Sequence, residues 1–421
     1  MSETRELKGL TKDDLQDLLK GKFGPGVNVT DCTSRNATAA GENYGSSLFL
    51  LTVNILNNNV HQIHHIIAKL LPPTQFLREV FNVDVTFEKE INLYKLVYPA
   101  YLEMQQECGL EKHEIVNLVP PFYGARISPM RSSITDFDAV LLMGNLKVQN
   151  YQIADRLSGL DLKHCELVMQ SLASFHALGV ALREKKPVIF KETVLKTTTH
   201  FHIGVKGEDE VQERKTFMET LVKNVPECRC YFEKMIKHFE SHLKVENKSL
   251  AKEPFATVVH NDLWTNNMLF KYEEGSQNRS LLDMKLLDFQ VTLFCSPVRD
   301  IIFFLYSSAQ KEVVENYYDH LINIYYESFV NLLKKLKCDI ERFSKTAFLE
   351  EINTFAPTQL FHTLFMLAVI YAQDDETEDL HELTSKDHMF EVGRTEVCRR
   401  KIISIIQDFE RKGWIREKCE L

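Results

Sequence analysis

Apolar residues recur along the chain with two different periods, and the change from one to the other divides it. Near the front, Thr11 precedes LQDLLKGKFG, which predicts a helix with a threonine N-cap and a glycine stop. SSLFLLTVNIL and HQIHHIIAKLLPP then bring runs of aliphatic and β-branched residues on either side of a polar NNN turn, the pattern of two paired strands. VDVTFEKEINLYKLVYPAYLEMQQE returns to helical spacing. A further strand is expected over residues 139–143, followed by a polar connector. From GLDLKHCELVMQSLASFHALGVALREKK onward the spacing is mainly helical, broken between Phe270 and Phe289 by a hairpin around EEGSQNRS. LFHTLFMLAVIYA, starting at Leu360, is shorter than the roughly 20 residues of a membrane span and contains a histidine, so it reads as a buried helix.

The expected class is therefore α+β in two lobes. A small antiparallel-sheet lobe with one main helix occupies residues 1–143, and a larger, mostly helical lobe occupies 144–421, with the boundary near Gly144. A cleft between two such lobes is a common ligand site. There is no internal repeat and no low-complexity tract, which removes solenoid and fibrous architectures.

Composition narrows the function classes. The 421 residues are 44% hydrophobic and 26% charged, which is ordinary for a globular chain. A formal charge of -9 and a pI near 6.0 argue against nucleic acid as a partner. Nine cysteines without a CxxC pair point to free thiols in a reducing cytosol. The charged, amphipathic start MSETRELKGLTKDDLQDLLKGKFGPG has no signal-peptide core, so a cytoplasmic protein with no membrane partner is expected. In that compartment the glycosylation-like triplets at Asn28, Asn36, Asn247 and Asn278 are without consequence.

Candidate chemistry concentrates in HNDLWTNNMLF, where Asp262 lies five positions before Asn267 in a polar loop between apolar segments. Phosphoryl transfer gives that pairing a reason. A hydroxyl attacking a terminal phosphate needs a carboxylate to orient it and take its proton, and a neutral amide can ligate magnesium without adding charge. KLLDFQ supplies a second acid, Asp288, at the end of an apolar strand beyond the hairpin. On this reading Asp262 is the base, and Asn267 and Asp288 hold Mg2+ beside ATP. Taken alone, the loop would pass for an ordinary Asx turn and Asp288 for a strand-end residue.

HNDLWTNNMLF, LLDFQ, SPVRDIIFFL, the GLDLKHCELVMQSLASFHALG helix and AGENYGSSLF together resemble the ecdysteroid kinase-like family, also called CHK kinase-like. That family is related to choline and aminoglycoside kinases within the protein-kinase-like fold, and the resemblance runs over roughly residues 30 to 375. It implies that Lys69 contacts the nucleotide phosphates and that Glu90 pairs with it, with Glu88 as the competing helix acid. A lysine late in an apolar strand followed by a helix carrying Glu agrees with this. It also implies that Gly41, Asn43, Gly45 and Ser46 of AGENYGSSLF cover the phosphates, and that the connector around Met143, Asn145 and Leu146 holds adenine through backbone groups. The chain departs from the family there, with Gly144 and Asn145 where relatives carry an acidic pair. Asp300 in SPVRD resembles an aspartate that braces the catalytic loop.

The histidines invite other readings. His260 and His176 are expected to be structural. His61, His64 and His65 lie on a strand, where His64 and His65 point to opposite faces and do not share an ion. DDETEDLHE from Asp374 is expected to be a solvated loop.

The function expected is an ATP- and Mg2+-dependent small-molecule kinase acting on a hydroxyl. By resemblance the acceptor is an ecdysteroid or another lipophilic alcohol, and the protein is taken as a monomer by default. The alternative is a catalytically silent relative that binds a ligand or partner. A protein kinase ranks last, because the loop reads HND rather than HRD and no APE segment follows.

Overall fold

The computed structural model describes residues 10–37, 46–72, 74–128, 138–199, 210–246, 251–273, 280–371, 393 and 395–416. Five antiparallel strands form the first sheet: β1 (Asn28–Asn36), β2 (Ser47–Asn57), β3 (Val60–Leu70), β4 (Phe122–Arg126) and β5 (Val140–Gly144), in the order β1-β2-β3-β5-β4. The NNN turn joins β2 to β3 as expected. Asn58 and Asn59 both adopt positive φ, 50° and 62°, the geometry that matches a tight hairpin to strand twist and that asparagine tolerates well. Two strands escape the hydrophobic pattern, β1 and β4, and both lie at sheet edges.

Helix α1 (Lys12–Phe23) is closed at its start by reciprocal bonds between Thr11 and Asp14. It lays Leu15 and Leu19 against Val53, Ile66 and Leu142 of the sheet. Gly124 of β4 passes beneath it so closely that a Cβ would sit 2.4 Å from the Leu18 carbonyl oxygen. The helical stretch expected over VDVTFEKEINLYKLVYPAYLEMQQE follows the short α2 (Gln75–Val80). It runs as α3 (Val83–Asn92), a widened turn (Leu93–Val97) and α4 (Tyr98–Glu107). In the widened turn the Tyr98 N–H reaches back to the Leu93 carbonyl. Pro99, next in line, has no N–H and needs room for its ring, which accounts for the widening.

The rest of the chain is mainly helical. It comprises β6 (Tyr151–Gln152), α5 (Leu162–Lys185), α6 (Pro187–Thr197), α7 (Glu210–Asn224), α8 (Phe232–Glu246), β7 (Thr257–Val259), β8 (Met268–Tyr272), β9 (Leu281–Leu286), β10 (Leu293–Cys295), α9 (Val298–Ser308), α10 (Lys311–Lys335), α11 (Lys345–Phe355), α12 (Leu360–Ile370) and α13 (Glu396–Arg411). The hairpin expected after Phe270 is β8 paired with β9, and its tip lies outside the described residues. The apolar run from Leu360 is the buried helix α12. Among the described residues only α5 is long and apolar enough to cross a membrane, and 78% of its most apolar window is buried in the core. Gly179 lets α5 lie directly on β7, where a Cβ would stand 2.3 Å from Thr257 Oγ1 and 3.1 Å from the Val258 nitrogen. That contact fixes the strand that leads into HNDLW.

Candidate active site

Lys69, one residue before the end of β3, is 2% exposed. Its Nζ lies 2.7 Å from Glu90 Oε2 and 2.9 Å from Asp288 Oδ1, so one ammonium joins the sheet, α3 and the loop after β9. Glu90, rather than Glu88, makes this pair. Burial works against the Lys69 charge, but Asp288 and Glu90 outweigh it and hold the ammonium above its ordinary pKa. Burial pushes Glu90 up, as does the nearby Asp288, while Lys69 pulls it back. The arrangement is a buried cation shared between two acids.

The HNDLW loop is held from below. Fully buried Asp300, at the start of α9, accepts from the backbone nitrogens of His260 at 2.6 Å and Asn261 at 2.7 Å. It also accepts from His176 Nε2 at 3.0 Å, and His176 Nδ1 accepts in turn from Tyr325 Oη at 2.7 Å. Burial alone would raise the Asp300 carboxyl. The hydrogen bonds from His176 and the Asn261 amide bring it below the usual carboxylate range instead. His260 donates through Nε2 to the Leu287 carbonyl at 2.7 Å and accepts at Nδ1 from the Asp262 nitrogen at 3.3 Å, so its two partners fix one neutral tautomer. Burial lowers its pKa to match. Both histidines thus brace the loop.

Asn261 turns the chain at φ 67°, donating to the Val291 carbonyl at 3.1 Å and accepting from Arg299 Nε. Asp262 follows. Asn267 Nδ2 donates to its backbone carbonyl at 2.7 Å and to its Oδ2 at 3.0 Å, which ties the two candidate residues together. Asp262 Oδ1 is buried without a hydrogen-bond partner. Burial, reinforced by the charge of Asp288, raises the Asp262 carboxyl well above its ordinary range. Asp288 itself sits at φ 61°, a left-handed conformation that costs a non-glycine residue energy.

These donors fit magnesium. Asn267 spends its N–H bonds on Asp262 and keeps Oδ1 as a hard donor; the Asp288 carboxylate is the second, and the unpartnered Asp262 Oδ1 lies close by. Magnesium takes oxygen ligands and commonly only one or two carboxylates, with waters and phosphates completing the shell. Among the described residues no cluster of three His, Cys, Asp or Glu could hold a metal unaided.

The connector's unusual glycine has a packing reason, since a Cβ on Gly144 would press to 3.1 Å from Pro121 Cδ. The Gly144 nitrogen donates to the Pro121 carbonyl at 2.8 Å and that of Asn145 to the His65 carbonyl at 2.9 Å. Asn145 Oδ1 accepts from the Lys147 nitrogen at 3.0 Å and caps the turn that begins at Leu146. Met143 and Leu146 are buried, as is Ser46, whereas Gly41, Asn43 and Gly45 lie outside the described residues. So does the acidic run from Asp374. His64 bonds Tyr123 and His65 contacts Thr52 from alternating positions of β3. Every described cysteine is a free thiol. Asn261, Arg299 and Tyr325 are supporting residues the sequence reading passed over, although an Asn next to the candidate base was a signal for a left-handed turn.

A five-stranded sheet bearing a Lys–Glu pair, set on a helical body that presents an Asp–Asn loop and a second Asp, defines a two-lobed, protein-kinase-like protein. The family model for the ecdysteroid kinase-like family matches residues 40–338, and the chain belongs to that family. Distant likenesses among solved structures include an aminoglycoside 2′-phosphotransferase mutant in complex with GDP, at 12% identity, covering 96% of this chain and 100% of that one with a TM-score of 0.40. Spectinomycin phosphotransferase with ADP and spectinomycin matches at 10% identity, 88% and 95% coverage and a TM-score of 0.38. A macrolide 2′-phosphotransferase matches at 11% identity, 86% and 94% coverage and a TM-score of 0.35. No curated protein matches the chain.

Proposed function

We propose that the protein is an ATP-dependent, magnesium-requiring kinase that transfers the terminal phosphoryl group to a hydroxyl of a small molecule. The observation that carries this reading is the reach of Lys69 to both Glu90 and Asp288, beside an Asp262 tied to Asn267. In kinase chemistry the Lys–Glu pair and the metal-binding Asp must be in place together. Asp262 orients the acceptor hydroxyl and takes its proton; Lys69, steadied by Glu90, holds the nucleotide phosphates. Asn267 and Asp288 would hold Mg2+, which when bound neutralises charge on the phosphates. Most of the acceleration then comes from positioning and fixed charge.

Residues 1–143 act as the nucleotide lobe, with Gly41, Asn43, Gly45 and Ser46 over the phosphates, and residues 144–421 as the catalytic and acceptor lobe. Adenine lies along the Met143, Asn145 and Leu146 backbone; the N–H groups of Gly144, Asn145 and Lys147 are engaged internally, which leaves the Leu146 N–H as the donor without a partner among the described residues. The acceptor is a lipophilic alcohol, with a polyhydroxylated steroid first among candidates. The enzyme works as a cytoplasmic monomer.

The test is mass-spectrometric detection of phosphorylated product from Mg2+-ATP and a panel of ecdysteroids, other sterols, choline and plant alcohols. Wild type yields product, and Asp262→Asn and Asp288→Asn fall by at least about a hundredfold while remaining folded. Near-normal turnover by Asp288→Asn refutes the metal role. Nucleotide binding without product from any acceptor favours the silent relative instead.

A further inference from the structure

A cavity of about 320 Å3 opens between α9, α10 and α13, and none of the residues placed in the phosphoryl-transfer site line it. Tyr306, Val314 and Ile405 give it apolar walls, and three cations, Lys311, Lys401 and Arg411, also face it. Two of those cations already have acids. Arg411 Nε donates to Asp408 at 3.1 Å, and Asp408 accepts from Tyr306 Oη as well. Lys311 lies 3.5 Å from Glu315.

Lys401 differs. Its Nζ donates to the Ala309 carbonyl at 2.5 Å, and among the described residues no carboxylate comes within the 4.0 Å of an ion pair. Glu312 of α10 and Cys165 of α5 act on it only from farther away. An ammonium has three N–H groups and a full charge, and holding it half-buried on one carbonyl leaves both under-compensated. Burial accordingly lowers Lys401 to about 8. The Ala309 carbonyl also lies immediately before α10, a 25-residue helix whose N-cap Gln310 makes no side-chain cap bond, so the helix's positive end adds to the same potential.

We propose that this cavity binds a small monocarboxylate with an apolar body, its carboxylate on Lys401 and its body against Tyr306, Val314 and Ile405. One uncompensated positive charge calls for one negative charge. A phosphate dianion would bring an excess beside Asp408 and find no use for the apolar walls. The volume is at the small end of ligand sites. This inference stands apart from the kinase reading, and its test needs no turnover.

Isothermal titration of the full-length protein with octanoate, octanol and inorganic phosphate, on wild type, Lys401→Met and Ser404→Trp, decides it. Ser404 lines the cavity and its replacement by Trp fills it while leaving the lysine in place. Octanoate is expected to bind wild type at one site, to weaken by at least about tenfold in Lys401→Met, and to be lost in Ser404→Trp, both variants melting as folded proteins. Octanol is expected to bind wild type more weakly than octanoate does. Absence of octanoate binding to wild type, equal octanoate affinity in folded Lys401→Met, or tighter binding of phosphate than octanoate would each overturn the proposal.

Discussion

Replacing Asp300 with asparagine keeps the shape of the side chain and removes its ability to accept on both oxygens. In the native protein Oδ1 accepts from the Asn261 nitrogen, and Oδ2 accepts from the His260 nitrogen and His176 Nε2, all within 2.6 to 3.0 Å. An asparagine must point its NH2 at one of these two groups of donors. The better orientation sacrifices the Asn261 bond, leaving one buried backbone N–H facing another donor, which costs about 1–3 kcal/mol. The two surviving bonds lose their charge assistance, worth about 1 kcal/mol each. The expected loss is about 3–5 kcal/mol, similar to breaking a buried ion pair from one side.

Hydrogen exchange at the His260 and Asn261 amides reads the local effect, and urea unfolding followed by fluorescence of Trp264, in the same loop, reads the larger one. Protection of the two amides should fall by about two to four decades. The acid limb adds a signed test. Asp300 sits below its usual value of 3.8, so its contribution is present above that pH and is lost as pH falls through the lower native value. Wild type and Asp300→Asn should therefore differ fully near neutrality and converge in strong acid. A variant within about 0.5 kcal/mol of wild type at pH 7, with both amides still protected, would refute the bracing role.

Two further outcomes follow from packing and burial. Gly179→Ala drives a methyl into Thr257 Oγ1 at 2.3 Å and should cost about 1–3 kcal/mol in urea unfolding, through the strand that leads into the HNDLW loop. Lys401 is lowered from 10.5 to about 8, so the unfolded chain binds more protons between those values and wild-type stability should rise across that window. Lys401→Met should abolish that rise and melt higher than wild type at pH 7; a parallel pH profile for the two would contradict the buried-charge argument.

Much of this was legible from residue order, and the exceptions share a cause. β2, β3 and α5 announce themselves because one face or all of each is buried. β1 reads NVTDCTSRN with Val29 its only fully buried residue, and β4 is five residues long with a glycine forced by α1, so neither carries an apolar alternation. At the site, Asp262, Asn267 and Asp288 were visible through spacing. The resemblance offered Glu90 with Glu88 still competing, and only the packing of α3 on the sheet settles the pair as Lys69–Glu90. Arg299 and Tyr325 were invisible because their roles depend on partners far away in the chain. Gly144 looked like an anomaly of the connector until Pro121 came beside it.

The support under the HNDLW loop is built from contacts of very long sequence separation. His176 meets Asp300 across 124 positions and Tyr325 across 149. Closing such loops is slow, since chain entropy is spent before the contacts form. The loop that carries Asp262 is therefore set only after α5, α9 and α10 have docked on one another. A nascent chain that has not yet released Tyr325 from the ribosome holds every one of its candidate site residues and still lacks the support beneath them, so the geometry of that loop is completed late in the protein's own synthesis.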